Sequence, residues 1–169
     1  MGPAGGLYKA LLLLHILTVV LAFGPLALNG LYAAQAKKRQ GEGGVAITEA
    51  NHFVSGVAEK IVYAVPVFGI ALVLVSDGQI EFSELWISLS FVLYIVAIGV
   101  SHGVMIPSAK RSLALSKELL AAGPSAGGTP PQVAAMDKLE HKMAAGGMFL
   151  NLMLVVIIAL MIWQPGRGV

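Results

Sequence analysis

The sequence predicts an all-α fold: an integral membrane four-helix bundle with both termini outside and a cytoplasmic extension between helices 3 and 4. Three observations predict it. Of 169 residues, 57% are apolar and 12% charged, and the mean hydropathy is +0.81, whereas an average soluble domain is about 25% charged. Four segments are long enough to cross a hydrocarbon core about 30 Å thick, which takes roughly 20 apolar helical residues. The basic residues are also sorted: Lys37, Lys38, Arg39, Lys60, Lys110, Arg111, Lys117, Lys138 and Lys142 flank two of the connections, and only Lys9 and Arg167 fall on the other side. Short cytoplasmic loops carry such an excess.

Helix 1 is expected over about 7–34. Ala34-Gln35-Ala36 fits a signal-peptide cleavage pattern, but the apolar run exceeds the 7–15 residues or so of a signal h-region, so the segment reads as a helix that is kept. Helix 2 is expected over about 50–76, after a cytoplasmic loop at 35–57 that enters its first turns. The acidic turn Ser76 to Glu84 then leads outside into helix 3, about 84–113, whose last turns stand in the cytoplasm. The connection 108–143 contains a break rich in Gly and Pro, Gly123 to Pro131. Helix 4 is expected over about 133–163, and the chain 1–169 as a single four-helix transmembrane domain. Trp86 and Trp163 lie at outer helix ends, where aromatic belts sit. Pro66 and Pro107 predict helix bends.

Composition excludes a soluble enzyme. With no cysteine in the chain, disulfides, thiolate ligands and heme attached through cysteines are excluded too. The net charge of +2 and pI near 9.0 match the loop asymmetry and give no reason to expect nucleic acid. The partners expected are the lipid bilayer and a membrane-protein partner or a second copy.

Helical spacing, about 100° per residue, groups polar and small residues into stripes. These are His15, Thr18, Ala22 and Asn29 on helix 1, and His52, Gly56, Glu59, Tyr63 and Pro66 on helix 2. On helix 3 they are Ser88, Phe91, Ile95, Gly99 and His102, and on helix 4 His141, Ala145, Met148 and Leu152. Each stripe is expected to face inward. Polar and small residues also hold membrane helices together with no further role, and Gly99/Gly103 and Ala144 to Gly147 read as close-contact patches.

The histidines differ in depth. His15 lies roughly 12 Å in from the outer end at 1.5 Å per residue, His102 near the inner boundary, and His52 and His141 about a turn beyond it. An ionisable group inside a membrane is a candidate functional site, because such groups pair or line pathways. Neutral imidazoles on facing helices suit a heme iron or a transition metal such as copper or zinc. His15, His102, His141 and His52 are therefore the candidate cofactor ligands, with Asn29 and Glu59 as their supporting partners. The alternatives are b-type heme, copper or zinc, or no cofactor at all. In the last case the chain is a non-catalytic accessory subunit of a larger membrane complex of respiratory type. A transporter fits less well, since no intramembrane carboxylate pair is present.

The stretch "LYKALLLLHILTVVLAFGPLALNGLYAAQ" resembles the first helix of a set of bacterial multi-pass membrane proteins. The set comprises an uncharacterised family of predicted integral membrane proteins, the copper-resistance protein D group and, more distantly, the HemJ-type protoporphyrinogen oxidases. "EKIVYAVPVFGIALV" and "VAIGVSHGVMIPSAKR" resemble the uncharacterised family in particular. That resemblance covers most of the chain and implies the cytoplasmic (inner) membrane of a bacterium. The HemJ resemblance implies four helices, b-type heme and oxidation of a porphyrinogen without flavin. His15 is the position it transfers, with Lys9 second, although here the lysine precedes the histidine by six residues.

Overall fold

The computed structural model describes residues 3–123 and 131–167. Four long apolar helices make up the fold: α1 (Gly6–Arg39), α2 (Gly41–Leu74), α3 (Leu85–Ala122) and α4 (Pro131–Trp163). No strand occurs among the described residues. Lipid offers no partner to a backbone N–H or C=O, so a spanning segment satisfies these groups within its own helix.

The helices run further than the apolar stretches. The loop expected at 35–57 is helical, and α1 passes into α2 through a turn at Gln40 alone. Hydropathy marks where lipid ends, whereas these helices continue into water as packed pairs. Gly44 lies so close to α1 that a Cβ there would stand 2.7 Å from the Ala36 carbonyl oxygen. α3 likewise continues to Ala122. Most of the Gly- and Pro-rich break, 124–130, lies outside the described residues.

Three interruptions have local causes. α1 is broken at Leu28, three residues after Pro25, and α2 at Tyr63, three residues before Pro66. α3 widens into a π-helical turn at Ser101–Met105. Pro107 sits in the first turn of the helix that resumes there, where its missing N–H is tolerated.

α1 packs along α2 and α3 along α4, and the two hairpins meet mainly where the Gln40-end half of α2 lies on that of α3. At the opposite end Val73, Ile80, Trp86 and Ile87 form a small core, onto which Tyr8, Phe91 and Leu160 pack, so all four helices contribute. The turn there is built on buried Ser76, whose Oγ accepts the Ile80 amide at 3.1 Å and donates to the Val73 carbonyl at 2.8 Å. Glu84 accepts the Trp86 indole N–H at 2.6 Å, and Arg167 donates to the Gln79 carbonyl. At the Gln40 end two ion pairs join different helices: Lys37 to Glu140 at 2.9 Å and Lys117 to Glu49 at 2.6 Å.

The inward face expected for α1 is observed, with Thr18 and Ala22 buried and His15 half-buried. Those expected for α3 and α4 are not. On α3 the buried residues of the spanning part are Trp86, Ile87 and Ser90, whereas Ser88, Ile95, Gly99 and His102 are exposed. On α4, His141, Ala145, Met148 and Leu152 are exposed. Gly99 and Gly103 have open space where a Cβ would stand, while one at Gly146 would meet Met105 Sδ at 2.7 Å. Of the two small-residue patches, only that on α4 makes a close contact. Within the span both helices are apolar all round, and lipid solvates Leu as well as another helix does, so hydrophobicity left their faces undetermined.

Candidate functional site

Polar groups within the span gather around the break in α2. Pro66 has no N–H to offer the carbonyl four residues back, which is that of Val62. The Tyr94 hydroxyl, from α3, donates to this carbonyl at 3.3 Å. On the other side of α2, His15 Nδ1 is 3.1 Å from the Val65 carbonyl. The ring lies over Gly69, where a Cβ would stand 3.4 Å from His15 Cε1. With Nδ1–H donating to Val65, the neutral ring keeps its lone pair on Nε2.

A third group joins α2 to α3. His102, on the π-helical turn, places Nδ1 3.0 Å from the Ile98 carbonyl on its own helix. Its Nε2 is 2.8 Å from the Tyr63 hydroxyl and 3.4 Å from Glu59 Oε1. Counted along α3 from Leu85, His102 is ~25 Å from the Ser76 end of the span at 1.5 Å per residue. Three proton-bearing side chains thus meet near one edge of the apolar region. They are partly open to the surroundings, with His102 48% and Glu59 27% exposed at the side chain. π-turns occur frequently at functional sites.

The sequence-derived candidates separate accordingly. Glu59 and His102 come together, joined by Tyr63. His15 stands apart on α1, and Asn29 accepts the Ser55 hydroxyl at 3.0 Å instead of supporting a histidine. His52 is half-buried, His141 exposed, and Lys9 exposed at the start of α1. Tyr94, Gly69 and Ser55 are contributors that the stripes missed. The one signal for Tyr94 was Pro66 itself, which announces an unpaired Val62 carbonyl.

Among the described residues no group of three or more His, Cys, Asp or Glu could hold a metal ion. His15 and His102 differ in depth by ~13 Å at 1.5 Å per residue, too far for two axial ligands of one iron. A groove of about 280 Å³ between α1 and α2 is lined by Leu21, Pro25, Phe53, Val57, Ala58 and Ile61 among others, with no histidine in its wall.

In comparisons with known proteins, a family model described as predicted integral membrane protein (DUF2269) matches residues 9–165. No curated protein and no solved structure matches, so nothing found links the chain to the copper-resistance D or HemJ-type proteins.

Proposed function

The chain belongs to this DUF2269 family of integral membrane proteins, and we propose that it acts as an acid–base protein of the bacterial cytoplasmic membrane. Its working site is Glu59, Tyr63 and His102. The observation that supports this reading is the convergence of a carboxyl, a phenol and an imidazole around one nitrogen, His102 Nε2, inside an otherwise apolar span. Intramembrane Glu and His residues of this kind serve as proton relays. With both termini outside, the site lies ~5 Å inside the cytoplasmic boundary of a core about 30 Å thick, where it exchanges protons with water on that side.

Infrared difference spectroscopy of the protein in nanodiscs, taken across a pH step, tests the reading. A carboxyl band that appears on acidification and is missing in Glu59→Gln is expected, together with imidazole bands missing in His102→Gln. A spectrum unchanged by both substitutions would end the proposal.

A second reading is favoured by one bond. His15 is anchored through Nδ1 to a backbone carbonyl, the arrangement that orients ligating histidines and leaves Nε2 for a metal. On this reading His15 supplies one ligand to heme or to copper or zinc. An absorption spectrum with metal analysis decides it: a Soret band or stoichiometric metal that disappears in His15→Ala is the expected result, and neither in the wild type rejects it.

A further inference from the structure

His102 Nε2 has two partners but one bonding direction at a time, because the ring's other nitrogen is committed to the Ile98 carbonyl at 3.0 Å. A neutral ring with Nδ1–H on Ile98 has a lone pair at Nε2, which can only accept. Of its two neighbours only the Tyr63 hydroxyl, at 2.8 Å, has a proton to give to it when Glu59 is ionised. A protonated ring has N–H at both positions and can only donate. The acceptor with charge is then Glu59 Oε1 at 3.4 Å, and a charge-assisted bond to carboxylate is roughly twice as strong as a neutral one.

We infer that His102 is a two-position latch between α2 and α3, holding Tyr63 when neutral and Glu59 when protonated. The inference rests on the acid–base reading of this site. Glu59 and Tyr63 are four residues apart on α2, neighbours on one helix face, so protonation moves the point of attachment by one helical turn. Both sides of the attachment are already irregular. Tyr63 is the residue at which α2 is interrupted, and His102 lies within the π-helical turn of α3, so neither helix need unwind further to follow.

The other titratable groups near this contact leave the latch to these two partners. From α2, Lys60 is exposed, and its ammonium, which has donors only, offers protonated His102 no acceptor. On α3, Tyr94 is committed to the Val62 carbonyl. α4 packs on the same turn, with Gly146 facing Met105; its nearest titratable residues in the chain are His141 and Lys142, both exposed and neither bonded to His102.

The test is a pH titration by NMR of the whole protein in nanodiscs, with imidazole nitrogens and tyrosine ring carbons labelled. His102 is expected to change from a lone-pair to a protonated Nε2 signal as the pH is lowered. The Tyr63 Cζ signal should shift with the same midpoint as its hydroxyl loses the imidazole acceptor. In Glu59→Gln the midpoint should change, and in Tyr63→Phe His102 should still bind its proton. A wild-type His102 whose Nε2 signal never changes across the pH range in which the protein stays folded rejects the acid–base reading itself. A His102 that titrates while Tyr63 stays still, or a midpoint indifferent to Glu59→Gln, leaves that reading in place and rejects the latch.

Discussion

Pro66 removes one hydrogen from the backbone of α2, and the Tyr94 hydroxyl fills the gap at Val62. Losing that bond by Tyr94→Phe is expected to cost about 1 kcal/mol, the usual net worth of such a bond and within the range seen between membrane helices. In a Pro66→Ala background, where the helix can supply its own N–H, the cost should fall toward zero; equal losses in both backgrounds, measured by unfolding in detergent, would show that Tyr94 does something else. Gly146→Val should lower stability by about 1–3 kcal/mol through overpacking against Met105, whereas Gly103→Leu, with open space around it, should leave the melting temperature unchanged. At this scale the sequence was readable where a polar or small side chain interrupted a Leu- and Val-rich surface, as His15, Thr18 and Ala22 do on α1. It was not readable where glycines offered two contact faces of equal plausibility. Gly99/Gly103 and Gly146/Gly147 look alike as text, and only the course of neighbouring helices tells them apart.

Two turns carry the elements' own predictions. Gln40 joins α1 to α2 at φ 49° and ψ 179°, a region essentially reserved for glycine and costing other residues about 1–3 kcal/mol. Gln40→Gly relieves the strain but adds freedom to the unfolded chain, worth up to about 1 kcal/mol, so a net gain of about 1 kcal/mol is expected in unfolding experiments. At the other end, the Trp86 indole, the Glu81 amide and Arg167 hold the Glu84 carboxyl below its ordinary range. A lowered value means that the carboxylate stabilises the turn above the usual glutamate pKa, with the contribution lost as pH falls through the lowered one. Trp86 fluorescence should therefore shift only at a pH below the ordinary glutamate range, and Glu84→Gln should abolish that step. For Lys37 the sign is opposite. Its bond to Glu140 raises the ammonium's pKa, so the pair's contribution persists below the ordinary lysine range and is lost in strong alkali as pH passes the raised value. Element existence was legible because length and hydropathy suffice for a lipid span. The ends were not, since Asn29–Arg39 and the first turns of α2 are held by pairing rather than by apolarity.

For the whole molecule, the asymmetry of basic residues leads to the expectation that both termini lie outside. The chain lacks cysteine, so a single introduced thiol reports cleanly. Gly43→Cys is expected to be protected from an impermeant thiol reagent in intact cells and Ser83→Cys to react; the reverse pattern would invert the topology. The number of spans and their order were legible from the sequence. The gathering of Glu59, Tyr63 and His102 was not, because they lie on two helices and only the packing of α2 on α3 joins them. The one-residue connection at Gln40 also bears on how the protein is made. Since the two helices leave Gln40 side by side, the pairing of Asn29–Arg39 with the first turns of α2 is a local contact that can form as soon as those residues are synthesised, before either hairpin finds the other.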